Sequence, residues 1–229
     1  MQVKLPALFI NFKTYDEGTG KKAIELAKKA EKAAKETKTS VVLVVQAIDL
    51  KEIAGKFKLP VFAQHIDPID FGSHTGHILP YAVKEAGAAG TVLNHAENKR
   101  DNAFLEKAIA KAKSSGLTVM ACAETLERAK EIAAFSVKPD LIAVEPPELI
   151  GGDISVSTAR PELITDTVRA IKQIAPEIGV VTGAGVKVRA DAEKAVELGT
   201  VGLFVASGII KAADQEKAIK ELCMGLKRK

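Results

Sequence analysis

The chain has 229 residues, 47% of them hydrophobic and 27% charged, with a formal net charge of +4. Those values suit one sizeable α/β core. They argue against a nucleic-acid binder, because the positive balance is small and interspersed with acids, and against a membrane-spanning protein, because no apolar run is long enough to cross a bilayer. The first residues lack the long apolar stretch and cleavage site of a signal peptide, and the two cysteines, Cys122 and Cys223, read as reduced thiols, so a cytoplasmic location is expected.

Short apolar runs rich in β-branched residues recur along the whole chain, separated by segments rich in Ala, Lys and Glu. The first run, Ala7–Phe12, leads into Asn11-Phe12-Lys13. Alternation along a strand turns Asn11 and Lys13 to one side and Phe12 to the other. A lysine there can neutralise an anionic substrate, polarise a carbonyl or form a Schiff base; the plainer reading is a solvated rim lysine. An amphipathic helix is expected over Gly20–Lys35, then strands at Val41–Gln46 and Val61–Gln64. The irregular stretch His65–Leu79 follows, with Pro68, Gly72 and Gly76, and its length suggests a functional or interface loop. Its His74-x-x-His77 spacing and His65 read as loop histidines rather than metal ligands, since cysteine and carboxylate partners are poorly placed.

The fourth run, Thr91–Asn94, is followed by His95-Ala96-Glu97. A short turn there aims backbone N–H groups at the imidazole and favours its neutral form, which can act as an electrophile; a structural histidine is the equal alternative. Asp101 caps a helix running to Ser115, and Gly116 stops it. Thr118–Cys122 and Leu141–Glu145 are the next strands. Glu145 precedes Pro146 and Pro147, so it continues the strand direction and is held firmly. The prolines, the apolar Leu149-Ile150 and the paired glycines Gly151 and Gly152 describe a lid with a stiff start and a pliant end. A helix over Arg160–Ala175 has Pro161 in its first turn, where the missing N–H costs nothing. Strands Gly179–Gly183 and Val201–Ala206 lead into Gly183-Ala184-Gly185 and Ala206-Ser207-Gly208, small residues whose backbone can approach a phosphate.

Most of these eight runs are continuously apolar, as strands buried on both faces are. Eight strand–helix units in 229 residues predict a single closed (β/α)8 barrel domain over residues 1–229, the TIM-barrel architecture. A doubly wound sheet is the alternative, but no G-x-G-x-x-G follows the first strand. In such a barrel the site lies at the C-terminal ends of the strands, which is where Asn11, Lys13, His95, Glu145 and the two glycine-containing loops fall.

Several segments then match a known pattern: I-N-F-K-T-Y at Ile10–Tyr15, Gly72-Ser73-His74-Thr75-Gly76, L-N-H-A-E-N at Leu93–Asn98, C-A-E-T-L-E at Cys122–Glu127, A-V-E-P-P-E-L-I-G at Ala143–Gly151, G-A-G-V at Gly183–Val186 and V-A-S-G at Val205–Gly208. In order and spacing the chain resembles the triosephosphate isomerase family over essentially its whole length, in its archaeal form. The resemblance implies interconversion of dihydroxyacetone phosphate and glyceraldehyde 3-phosphate without a metal or organic cofactor. It implies Glu145 as the base, neutral His95 as the electrophile, and Lys13 with Asn11 beside it as the electrostatic contact. Ile150, Gly151, Gly185, Ala206 and Ser207 match positions around the phosphate. Glu97 matches an acid paired near Lys13, and Thr75 a loop tip that reaches a neighbouring subunit. A homo-oligomer is implied, dimer or tetramer, with the tetramer favoured in this branch. Three departures stand out: Ala96 where a serine is usual, Gly152-Asp153 where Thr-Gly is usual, and Val44-Val45-Gln46 at the end of the second strand. A Schiff-base aldolase using Lys13 and a phosphate-binding barrel without catalysis are the competing readings.

Overall fold

The computed structural model describes residues 3–152 and 155–227. Eight parallel strands close into a barrel in chain order: β1 (Ala7–Asn11), β2 (Ser40–Val45), β3 (Val61–Ala63), β4 (Gly90–Leu93), β5 (Thr118–Ala123), β6 (Leu141–Val144), β7 (Gly179–Gly183) and β8 (Gly202–Val205), with β8 pairing back to β1. Around them lie α1 (Gly20–Thr37), α2 (Ala47–Lys56), α3 (Pro80–Glu85), α4 (Asn102–Ser114), α5 (Leu126–Ala133), the short α6 (Val156–Ala159), α7 (Pro161–Ile174), α8 (Arg189–Glu197), the short α9 (Ser207–Ile210) and α10 (Gln215–Gly225). The expected (β/α)8 architecture is the one observed.

The strand sequences explain why the sheet closes. In β1, Ala7 and Phe9 belong to the apolar cluster inside the barrel, while Leu8 and Ile10 join the larger cluster between strands and helices. Each strand therefore buries both faces, and a closed ring leaves no edge strand. Inside, Phe9 and Phe62 meet edge to face with ring centroids 5.7 Å apart. Outside, α1 turns Ala23, Leu26, Ala27, Ala30 and Ala34 to the barrel at helical spacing. It also packs on α10, so the last helix closes the outer ring against the first.

The helix signals act as the sequence suggests. Asp101 accepts the Phe104 N–H at 2.7 Å, and Gly116 adopts φ +71° just past the end of α4. Strand ends differ by one residue: Phe12, Gln46, Gln64, Asn94, Glu145 and Ala206, expected as last strand residues, lie just beyond. For Phe12, Gln64 and Glu145 the N–H still bonds the neighbouring strand, to Val44, Val45 and Ala123, before the chain turns away. That turn at the barrel mouth builds the site. The stretch 65–79 is a loop, as expected, and His65 stacks on Phe104 there.

Candidate active site

Backbone strain collects at the C-terminal mouth. Four non-glycine residues among those described have positive φ: Lys13 (47°), Lys38 (54°), Asn94 (59°) and Ala184 (70°). Lys38 ends α1, but the other three stand where β1, β4 and β7 give way to loops. Such conformations persist only where the surroundings impose them.

At β1 the imposing group is Asn11. Its Oδ1 accepts the Lys13 N–H at 3.0 Å, and the Gln64 side chain donates to the Lys13 carbonyl at 3.0 Å. Lys13 is thus turned into the mouth by a local clamp rather than by simple strand alternation. Its Nζ donates to Glu97 Oε1 at 2.6 Å, with the lysine side chain only 10% exposed.

At β4, Asn94 is buried and both ends of its side chain are used. Nδ2 donates to the Cys122 carbonyl and Oδ1 accepts from the Arg100 N–H, each at 2.9 Å. The clamp ties the 95–100 loop to β5 and presents His95, whose ring stands edge-on to Phe204. Asn98 N–H bonds back to the His95 carbonyl, closing a tight turn, and Glu97 N–H donates to His95 Nδ1 at 3.2 Å. A ring nitrogen that accepts an N–H uses its lone pair, so this contact suits the tautomer protonated at Nε2. The Glu97 carboxylate lies 3.5 Å from the same Nδ1, and its other oxygen pairs with Lys13.

At β6, Glu145 is 5% exposed. Its Oε2 faces His95 Nε2 at 3.7 Å, and neither buried atom has a hydrogen-bond partner among the described residues. Burial pushes the Glu145 carboxyl above its ordinary value, against the opposing pull of His95, Cys122 and Lys13. Burial, with the Glu145 carboxylate next in effect, pushes the Cys122 thiol well above the thiol range, so it stays protonated. Past Glu145 the chain forms a 3-10 turn at Pro147–Leu149, and Glu148 pairs with Arg160 at 2.9 Å, just before α7. Gly151 follows at φ +74°. Of the Gly152-Asp153 departure, Asp153 lies outside the described residues.

The loops after β7 and β8 approach closely. A side-chain carbon at Gly208 would stand 2.6 Å from the Val186 carbonyl, so only glycine lets them meet. One cleft is lined by Asn11, Lys13, His95, Glu145, Ile150, Gly151, Gly185, Ala206 and Ser207 together. Glu97 lines the adjoining recess beside Lys13 and His95. Thr75 is exposed on the 65–79 loop, and neither this cleft nor the recess includes it.

The sequence model described as triosephosphate isomerase matches residues 6–222. The chain belongs to the triosephosphate isomerase family. It is 45% identical to the triosephosphate isomerase of Methanothermus fervidus over 95% of this chain and 97% of that one. Against that of Methanocaldococcus jannaschii the identity is 45%, over 94% and 97%. Against that of Archaeoglobus fulgidus it is 42%, over 96% and 97%. These relatives bear out the archaeal form of the resemblance. A crystal structure of triosephosphate isomerase from Bartonella henselae shares the fold, with a TM-score of 0.74, 18% identity and coverage of 96% of this chain and 98% of that one.

The triosephosphate isomerase match spans every candidate site residue named from the sequence. Sequence reading missed Asn94, Gln64 and Phe204, whose importance is tertiary. The one local signal was at Asn94: asparagine tolerates the left-handed conformation better than most residues, and it stood at the point where β4 must turn.

Proposed function

We propose that the protein interconverts dihydroxyacetone phosphate and D-glyceraldehyde 3-phosphate through an enediolate, as an intramolecular aldose–ketose isomerase in glycolysis and gluconeogenesis. The observation that carries this reading is the pair of buried, unpartnered atoms, Glu145 Oε2 and His95 Nε2, 3.7 Å apart at the mouth of a family barrel. A carboxylate takes the proton from the carbon next to the carbonyl. The electron pair moves into the carbon–carbon bond, and negative charge develops on the carbonyl oxygen. Neutral His95 donates from Nε2 to that oxygen, with the Lys13 ammonium adding electrostatic stabilisation. Protonated Glu145 returns the proton to the adjacent carbon, and His95 serves the transfer between the oxygens. The steps are redox-neutral and leave atoms balanced, so no cofactor is called for.

In this reading Asn11 holds Lys13 in place, and Glu97 keeps Lys13 and the His95 tautomer in register. Backbone groups of Ile150, Gly151, Gly185, Ala206 and Ser207 surround the phosphate; first-turn N–H groups such as those opening α9 have no partner inside their helix. The Pro146–Gly152 segment closes over the substrate and excludes water. The 229 residues act as one catalytic barrel domain and assemble into a homo-oligomer, a tetramer in preference to a dimer, with Thr75 reaching a neighbouring subunit.

A coupled assay of glyceraldehyde 3-phosphate turnover on metal-stripped protein tests the reaction. Wild-type protein is expected to be active, and Glu145→Gln to lose at least roughly 10²- to 10⁴-fold, the usual worth of a general base. The Schiff-base reading draws no support from Lys13, whose Nζ is paired with Glu97 at 2.6 Å. Borohydride reduction with substrate present should leave no adduct on Lys13; a trapped adduct there would favour the aldolase chemistry instead.

A further inference from the structure

The structure assigns Gly183, the last residue of β7, a positioning role: its bare backbone is the seat on which the Glu145 side chain lies. The inference rests on the reading of Glu145 as the base. Gly183 is not among the glycines with left-handed φ, so its backbone conformation is open to any residue. What requires glycine is space. A side-chain carbon at Gly183 would stand 2.7 Å from Glu145 Oε1 and 2.8 Å from its Cδ, and closer still to its Cγ. The three nearest atoms all belong to Glu145. The same strand pairs with both neighbours of the site, Thr182 opposite Val144 of β6 and Gly183 opposite Phe204 of β8, so it has little freedom to retreat.

The seat matters because the Cys122 thiol is the carboxylate's one hydrogen-bond partner among the described residues. Oε2 has no partner among the described residues, and Ala96, following His95, offers no hydroxyl. Packing against Gly183 therefore sets the reach of Glu145 toward the gap it shares with His95. A methyl at Gly183 would push the carboxylate along that gap or out toward the lid. A displacement of about 1 Å at a reacting group costs on the order of 10²-fold in rate.

Two cycles test this. In the kinetic cycle, Gly183→Ala is expected to lower kcat by on the order of 10²-fold with KM changed by less than about threefold. Glu145→Asp withdraws the side chain from the crowded spot, so adding Gly183→Ala to it should lower kcat by less than about threefold further. In the thermal cycle, Gly183→Ala should lower Tm by roughly 2–10 °C in the wild-type background and leave Tm unchanged in Glu145→Ala, where the clashing atoms are gone. A Gly183→Ala protein with wild-type kcat, equal losses in both backgrounds, or failure of every Gly183→Ala combination to fold would overturn the assignment. If the wild type proves inactive as an isomerase, the functional reading falls while the thermal cycle still reports on the seat.

Discussion

Glu145 carries two opposite consequences of one environment. Burial raises its carboxyl above the ordinary value of 4.5, so the folded protein binds a proton there that the unfolded chain has already released. Stability is therefore intact below about pH 4.5 and is lost as pH rises through the raised folded value. Above that value the ionised carboxylate, whose Oε2 has no partner among the described residues, is a cost to the fold. Glu145→Gln should accordingly raise Tm at pH 7 to 8, by about 2–4 °C for each kcal/mol recovered, while abolishing most activity. Below the ordinary carboxyl range the Tm difference should vanish. Differential scanning calorimetry at the two pH values checks both signs. In the proposed mechanism the same shift moves the acid limb of the kcat/KM profile upward, because a general base works only when ionised. Lys13, His95 and Glu145, the proposed catalytic groups, were legible as candidates because each follows directly on an apolar strand. Gly183 and Asn94 were not, since one acts by lacking a side chain and the other by spanning two loops that meet only in the fold.

The elements were legible to a similar degree, and for a reason that also explains the errors. Apolar runs buried on both faces mark strands plainly, and Asp101 and Gly116 mark the limits of α4. The sequence does not mark where the ladder ends at the mouth: the Glu145 N–H still bonds Ala123 beyond the last strand residue, while Asn94 already turns away with φ +59°. Asp101→Ala removes a cap bonded at 2.7 Å and is expected to cost about 1 kcal/mol, readable in urea denaturation without a change in kcat. Phe9→Ala, inside the barrel against Phe62, should cost about 3–5 kcal/mol by the same measurement. A larger effect at Asp101 than at Phe9 would mean that the helices, rather than the barrel interior, dominate the fold.

For the whole molecule, a few large apolar side chains are left bare on the surface. Phe71 is 72% exposed and lies against the exposed Tyr81, and Ile48 is 84% exposed. We propose that the exposed Phe71–Tyr81 pair belongs to a subunit contact. Phe71→Asp should shift the mass measured by light scattering toward a smaller species and lower activity with it; an unchanged mass would place the subunit contacts elsewhere. Both cysteines are free and buried, so thiol reagent should label the native protein at neither and the unfolded protein at both. The central claim is that Glu145 moves a proton between adjacent carbons opposite His95. Proton NMR of glyceraldehyde 3-phosphate turnover in D2O tests it most directly. The account predicts carbon-bound deuterium in the wild-type product to the extent that the Glu145 carboxyl exchanges with solvent before returning its proton, and a rate at least roughly 10²-fold lower in Glu145→Gln. An undiminished rate in the Gln variant would contradict it.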